Sequence, residues 1–168
     1  TASNRQQVSF TLVTDPAQLR LVTRYTLDTF ASIARKLRHP LVRPWLSRIV
    51  PDVYRYVPVF ERLRREYAEG RDRVLRGATA VLFIHAPKAN RFGAEDANLA
   101  YQNASLMAEA LGVSQIYMGF VLTALRQDKT GRLNGMLGLD DRRICAAMAL
   151  GMPQFRYPNY IDREPAGV

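Results

Sequence analysis

The stretch GATAVLFIHA (residues 77–86) is the longest apolar run of the chain, and Pro87 closes it. An apolar run of this length between a glycine and a proline predicts a strand buried on both faces. It is too short to cross a membrane as a helix, which takes roughly 18 apolar residues. The stretch therefore predicts a sheet whose faces are covered by other elements.

The segments before this strand predict a short strand and a long helix. VSFTLV (residues 8–13) is rich in β-forming residues and predicts a strand. Asp15 and Pro16 are typical of a helix start, and apolar residues recur at helical spacing as far as Arg38. Residues 61–70 predict a charged helix that ends at Gly70.

The segments after this strand alternate between helix and strand. A helix opens at residues 93–96, where acidic residues suit the helix dipole, and it ends at Gly112. Its apolar stripe consists of Leu99, Leu106, Met107, Ala110 and Leu111. Residues 115–118 predict a strand, 120–137 a helix with a break near Gly131, and 143–150 a second buried strand. The whole chain, residues 1–168, is predicted to be one α+β domain.

Composition limits the class of protein. The chain has 168 residues, of which 48% are hydrophobic and 10% aromatic, enough for one domain with a core. Cys145 is its only cysteine, which rules out an intrachain disulfide and a thiolate metal site within these residues. We therefore expect no metal, a reducing compartment, the cytoplasm, and no membrane insertion. Because Thr1 is not a methionine, we expect the chain to begin inside a longer product.

The net charge of +9 comes from 21 arginines against three lysines. A basic surface attracts polyanions such as nucleic acid or anionic lipid. The alternative is a set of solvated basic helix faces, and we prefer it because no nucleic-acid recognition motif accompanies the arginines.

Common catalytic motifs are missing from the sequence. It contains no phosphate loop of the GxxxxGK[ST] type, no GxGxxG after a strand, and no metal-type spacing of His or Cys. His39 and His85 have no acid or nucleophile partner at motif spacing, so we interpret both as structural or incidental.

Several fragments follow one another in a fixed order. TASNRQQ (residues 1–7) puts small hydroxyl residues and an Asn before a strand, and RGATAVLFIHAP (residues 76–87) contains the buried strand. The helix at 95–112 leads into IYMGF (residues 116–120), and residues 137–153 carry Leu-Gly-Leu, a strand and a Gly-x-Pro exit. Their order and spacing over residues 1–165 resemble the nitroreductase family of FMN-dependent oxidoreductases.

This resemblance implies a nitroreductase-like fold, with an antiparallel or mixed sheet flanked by helices. It also implies a homodimer that binds FMN at the subunit interface and passes hydride from NAD(P)H to the flavin and on to a second substrate. The substrates expected are nitroaromatics, quinones or related electron-poor compounds. By similarity, Ser3, Asn4 and Gln6 contact the flavin, and the turn at Tyr117, Met118 and Gly119 offers backbone N–H groups near its N5.

The tail and the N-terminus depart from the family's pattern. Arg156 and Arg163 match basic positions that hold the FMN phosphate, whereas Pro158 and Asn159 stand where the family often has arginines. The family's N-terminal Arg-rich segment, which also holds the cofactor, is not in this sequence, so we expect weak or no FMN retention by these residues alone. The departures leave open an alternative, a redox-inactive flavin-fold binding module.

Residues 39–67 are predicted to form a lid or excursion, because four prolines interrupt them. By the resemblance, this segment covers the flavin, and its aromatic residues Tyr54, Tyr56 and Phe60 then line the substrate pocket. The other interpretation of these aromatics is ordinary packing. The approach to the buried strand is most similar to the family branch with a preceding ferredoxin-like domain, so a ferredoxin-type donor is the alternative to NAD(P)H.

Overall fold

A computed structural model of the protein describes residues 6–40, 44, 48 and 54–155. The elements in chain order are β1 (Ser9–Val13), α1 (Pro16–Leu37), α2 (Val57–Ala68), β2 (Ala80–Pro87), α3 (Gly93–Ala110), β3 (Ser114–Tyr117), α4 (Gly119–Gln127), α5 (Arg132–Met136) and β4 (Arg142–Gly151). The four strands form one antiparallel sheet in the order β1-β2-β4-β3. This arrangement confirms the predicted α+β class and the sheet flanked by helices.

Strand β2 lies inside the sheet, as the apolar run predicted. Its residues Val81, Phe83 and Ile84 are fully buried, and it pairs with both β1 and β4. The strand begins at Ala80 instead of residue 77, because the Ala78 N–H closes a turn onto the Leu75 carbonyl at 3.0 Å.

Helices α1, α2, α4 and α5 contribute to the main hydrophobic core on one face of the sheet. Helix α1 begins as predicted, with the Asp15 carboxylate accepting a hydrogen bond from the Gln18 N–H at 2.8 Å. Val22, Tyr25 and Phe30 then turn inward, each about 1% exposed, and meet Val81 and Phe83 of β2 in this core.

Helix α3 covers the opposite face with small residues. Ala97 packs with Ile84 of β2 and Ala146 of β4. A Cβ atom built on Gly93 would lie 2.8 Å from the Cβ of Ala86, so only a glycine allows the helix to begin this close to β2.

The apolar stripe of α3 faces away from the rest of the chain. Leu99, Leu106, Met107 and Leu111 are each at least 60% exposed. An apolar helix stripe ordinarily faces its own core, whereas the stripe of α3 is exposed. Phe10 and Leu12 of β1 are also more than half exposed. We call these six side chains the apolar face.

Phe10 and Leu12 lie on the same side of the sheet as α3. They pair in register with Ile84 and Leu82 of β2, which pack in the α3 cluster, and directly opposed residues of an antiparallel pair point to the same face. Helix α3 packs on β2, β3 and β4. The apolar face therefore runs from the outer side of α3 to the uncovered side of β1.

Only part of the segment 39–67 is described, and its last part is regular. Residues 57–68 form α2, which begins earlier than predicted because Pro58 occupies its first turn. Phe60 and Leu63 of this helix are buried in the main core. The end of the segment therefore packs as a core helix, and the lid role of the whole segment stays a prediction.

His85 is buried in a polar network that joins three strands. Arg142 of β4 donates from Nε to His85 Nδ1 at 2.6 Å and from Nη2 to Ser9 Oγ at 2.9 Å. Because an arginine can only donate, Nδ1 accepts, and the ring proton lies on Nε2, 2.9 Å from Thr11 Oγ1. The histidine is structural, as the sequence indicated.

Burial, and then the Arg142 charge, lower the pKa of His85 below its usual value of 6.5. The unfolded chain therefore binds this proton more readily than the folded one, and we expect the network's contribution to stability to be full above pH 6.5 and to fall as the pH drops below it. Urea unfolding between pH 5 and pH 8 measures the slope. His85→Gln should flatten it, whereas the same change at exposed His39 should leave it as it is; equal slopes in both variants would contradict the assignment.

Candidate functional site

A cavity of about 750 Å³ lies between α1, α2, the end of β3 and the start of α4. Much of its wall is aromatic, contributed by Phe30, Tyr56, Phe60, Tyr117 and Phe120. Aromatic walls with a few polar groups are typical of sites for planar organic ligands.

The turn from β3 into α4 supplies polar backbone groups to this cavity. The Met118 N–H donates to the Ala147 carbonyl at 3.0 Å, and the buried Met118 side chain fixes the turn in the core. Helix α4 then begins at Gly119 with no side chain capping it. The first-turn N–H groups of a helix have no acceptor within the helix, so the amides of Gly119 and Phe120 are donors at the cavity wall.

Gly119 leaves open space in front of these donors. A Cβ atom built on it would meet no side chain or backbone closer than Tyr117 Cδ1 at 4.0 Å. The bare backbone therefore allows a flat ligand to approach the amides closely, and these residues fit a flavin ring, whose N5 and O4 accept hydrogen bonds.

Three cationic side chains, Lys36, Arg73 and Arg76, also line the cavity. Arg73 is fixed by Glu66 of α2: its Nε lies 2.6 Å from one carboxylate oxygen, and Arg62 Nε lies 2.7 Å from the other. The hydrogen bonds from Arg62 and then Arg73 lower the pKa of Glu66 to about 2. Glu66 is therefore ionised at neutral pH and positions the Arg73 guanidinium at the cavity.

Five of the residues predicted from the sequence converge on this cavity: Tyr56, Phe60, Tyr117, Met118 and Gly119. Tyr54 lies next to it without lining it, since its hydroxyl donates to the Leu37 carbonyl at 2.9 Å and its ring packs on the cluster of Ala34, Leu37 and Val57.

Gln6, the remaining predicted cofactor contact among the described residues, does not line this cavity. Gln6 is exposed and precedes β1, at the opposite edge of the sheet from β3. Ser3, Asn4, Arg156 and Arg163 lie outside the described residues. Their roles stay predictions.

Sequence reasoning missed the cavity cations. Lys36, Arg73 and Arg76 were part of a general basic bias, and no motif separates them from the other arginines. One signal was present in the sequence: Arg76 directly precedes Gly77 at the entrance to the buried strand, where a turn is expected at the strand's end.

Two further features are absent from the described part of the chain. Among these residues, no group of three or more His, Cys, Asp or Glu side chains could hold a metal ion. None of the helices described is both long and apolar enough to cross a membrane.

Comparisons with known proteins identify solved structures of the same fold. The chain is similar to a nitroreductase with bound FMN from Desulfitobacterium hafniense (15% identity, TM-score 0.68, 100% of this chain and 79% of that one). It is also similar to an FMN-bound nitroreductase from Bacteroides fragilis (11%, 0.63, 100% and 79%) and to the FMN-dependent nitroreductase NfnB from Mycobacterium smegmatis in complex with NADPH (15%, 0.57, 90% and 71%). At sequence identities this low, the structural similarity shows a shared fold.

Comparison with curated protein sequences gave no match. The family model of the nitroreductase family, by contrast, matches residues 1–152 of the 168. The chain therefore belongs to the nitroreductase family.

Proposed function

We propose that the protein is an FMN-dependent oxidoreductase whose flavin ring occupies the cavity in front of Gly119. The observation that carries this proposal is the pair of open amides at the start of α4, facing an aromatic cavity in a member of the nitroreductase family. Bound FMN would supply the redox chemistry, accepting hydride from a donor and delivering it to a second substrate.

The chain's own residues supply binding and electrostatics. The Gly119 and Phe120 amides offer hydrogen bonds to the ring edge, and the Arg73 guanidinium places a positive charge at the same cavity. Both favour a ring that becomes more electron-rich on reduction. The walls of Phe60 and Phe120 exclude water from the ring and leave space for a flat substrate.

We propose that the predicted contacts from Ser3, Asn4 and Gln6 come from a second subunit. Tyr117 pairs with Met148 of β4, whereas Ser9 pairs with His85, which pairs with Ile144. The offset is about 13 Å along β4 at about 3.3 Å per residue, and about 14 Å across three strand spacings of about 4.8 Å. Ser9 is therefore about 20 Å from Tyr117 in one chain.

Gln7 lies further from Tyr117 still. The Gln7 carbonyl accepts from Arg142 Nη2 at 3.2 Å, so the chain extends toward the start of β4, away from Met148. A site made of both the N-terminal polar stretch and the Gly119 turn is composite, and we propose a homodimer.

The apolar face is the surface proposed for this dimer. It comprises three side chains of α3, Leu111 directly after this helix, and two side chains of β1, all more than half exposed in the single chain. Contiguous exposed apolar surface of this kind is typical of protein interfaces. Covering it with its two-fold copy would bring the β1 end of each subunit against the other.

The donor proposed is NAD(P)H, with a ferredoxin-type protein as the alternative, and the acceptors proposed are nitroaromatics, quinones or similar electron-poor compounds. Two structural neighbours were crystallised with NADPH or NAD⁺. The cytoplasm is the compartment proposed, as expected for a chain with one free cysteine.

The test is anaerobic reduction of the FMN-loaded protein. We expect FMN supplied in excess to bind, and its visible absorbance to bleach on addition of NADH, NADPH or a reduced ferredoxin and to return on addition of a nitroaromatic or a quinone. FMN binding without bleaching by any of the three donors would replace the proposal by the redox-inactive binding module.

Gly119→Ala tests the position of the ring. The added methyl has space in the protein alone, so we expect the apo fold to keep its stability. It would occupy the approach to the amides, and we expect FMN affinity to fall about tenfold, which corresponds to about 1.4 kcal/mol. Fluorescence titration with FMN measures the effect. Gly135→Ala on α5 is the matched control, and an unchanged affinity in Gly119→Ala would place the ring elsewhere.

A further inference from the structure

The cavity wall has an excess of positive charge. Its lining residues in the described part of the chain include Lys36, Arg73 and Arg76 and no Asp or Glu. Arg73 shares the Glu66 carboxylate with Arg62, so this trio retains one net positive charge. Lys36 and Arg76 form no ion pair among the described residues. Two cations at the cavity are therefore available to a ligand.

The loop that carries Arg73 and Arg76 is held rigidly. The Asp72 carboxylate accepts from the backbone N–H groups of Val74 and Leu75 at 2.7 and 2.9 Å, and from the buried Thr23 hydroxyl at 2.7 Å. These bonds tie the loop to α1. The two arginines are thus presented to the cavity on a preorganised backbone, which lowers the entropic cost of binding.

Arg76 also has an unusual backbone conformation. Its φ is +55°, a left-handed value that non-glycine residues rarely adopt. A glycine would adopt it without strain, as the next residue, Gly77, does at +77°. Strained residues of this kind concentrate at ligand sites, and at this position the strain accompanies a cationic side chain that lines the cavity.

We propose that Lys36 and Arg76 select acceptor substrates in which a planar aromatic ring carries an anionic group, such as a carboxylate or a sulfonate. This inference rests on the proposed function, since the flavin is taken to occupy the part of the cavity next to Gly119. The ring of such a substrate would lie against Tyr56 and Phe60, and its anion would lie at the cations. Arg suits carboxylates because its guanidinium can donate two parallel hydrogen bonds.

Two other anions have the same chemistry, the FMN phosphate and the phosphates of a dinucleotide donor. Both carry their charge on a flexible chain remote from the redox ring, whereas the cations here line the same cavity as the aromatic wall. We therefore assign Lys36 and Arg76 to the acceptor substrate. The experiment distinguishes this acceptor from the FMN phosphate and from the phosphates of the donor.

The experiment compares two ligands that differ in one charge, 4-nitrobenzoate and the neutral 4-nitrobenzamide. Dissociation constants are measured by calorimetry on the oxidised, FMN-loaded protein at low salt, with no donor present. We expect wild-type protein to prefer the acid by about tenfold, and Lys36→Gln and Arg76→Gln each to reduce this preference about threefold, as for partly exposed ion pairs. Lys129→Gln and Arg20→Gln remove the same charges elsewhere and should keep the wild-type preference.

A second variant at Arg76 tests whether a reduced preference for the acid could come from misfolding. Arg76→Gly removes the charge and also the backbone strain, so it should fold at least as well as wild type and lose the same share of the preference. Equal affinity of wild-type protein for acid and amide would overturn the proposal. So would variants whose main change is in FMN affinity, or in the ratio of the NADPH and NADH dissociation constants.

Failure of the proposed function is distinguishable from failure of this inference. A protein that takes up no FMN shows no flavin absorbance before any titration begins. Calorimetry then still reports whether the cavity prefers the acid, because that preference belongs to Lys36 and Arg76; its absence there overturns the inference as well.

Discussion

Leu99→Glu combined with Leu106→Glu is expected to convert the protein into a folded monomer that no longer retains FMN. Both side chains are more than 60% exposed in the single chain, so the substitutions remove little from its own core. In a two-fold dimer they replace four buried leucines, each worth about 1.5 kcal/mol or more. The dimer should lose at least about 6 kcal/mol, or about four orders of magnitude in dissociation constant.

Sedimentation velocity measures the change from dimer to monomer, far-UV circular dichroism checks the fold, and FMN titration measures cofactor binding. Leu21→Glu is the matched control, since Leu21 is an exposed leucine on α1, across the sheet from α3. A variant that stays dimeric would show that the apolar face is not the interface. A monomer that binds FMN as tightly as wild type would show that one chain completes the site.

The strands and helices could be predicted because their signals are local. Asp15 and Pro16 mark the start of α1, and Gly70 and Gly112, both with positive φ, follow the ends of α2 and α3. The apolar run of β2 is shielded on both faces, so composition alone identified it. Boundaries shifted by a few residues where turns intervened, as between Gly77 and Ala80.

The direction of the α3 stripe could not be predicted in the same way. Periodicity shows that Leu99 and Leu106 share one side of a helix, but it does not show whether that side meets the same chain or another molecule. The opposite side of α3 packs through Ala97 and Ala108, small residues with weak hydrophobic signal. The structure was needed to show that these alanines, and not the leucines, face the sheet.

Some residues of the candidate site could be predicted from the sequence, and others could not. The Tyr117-Met118-Gly119 turn was found because a family motif marks it, and Tyr56 and Phe60 were found because aromatics stand out in a broken segment. Lys36 and Arg73 lie 37 positions apart in the sequence and come together only when α1 packs on the loop that Asp72 holds. Charges that converge through tertiary packing leave no pattern in the sequence.

Phe30→Ala is expected to destabilise the protein by about 3–5 kcal/mol, the range for removing a buried phenylalanine. Phe30 is 1% exposed, stacks on Phe60 with ring centroids 4.2 Å apart, and meets Phe120 edge to face at 6.0 Å. It therefore joins α1 to α2 and to the start of α4. Urea unfolding followed by circular dichroism measures the loss, and Phe30→Leu should recover much of it by refilling the space.

Tyr56→Ala is the comparison that separates burial from stacking. Tyr56 also stacks on Phe60, at 6.3 Å, but it is 53% exposed, so its removal should cost less than about 1 kcal/mol. Similar losses in the two variants would mean that ring stacking, and not the buried volume of Phe30, holds these helices together.

Because Phe60 and Phe120 both line the cavity, a loosened Phe30 contact would also move the aromatic wall relative to Gly119. FMN affinity should therefore fall in Phe30→Ala even under conditions where the variant remains folded.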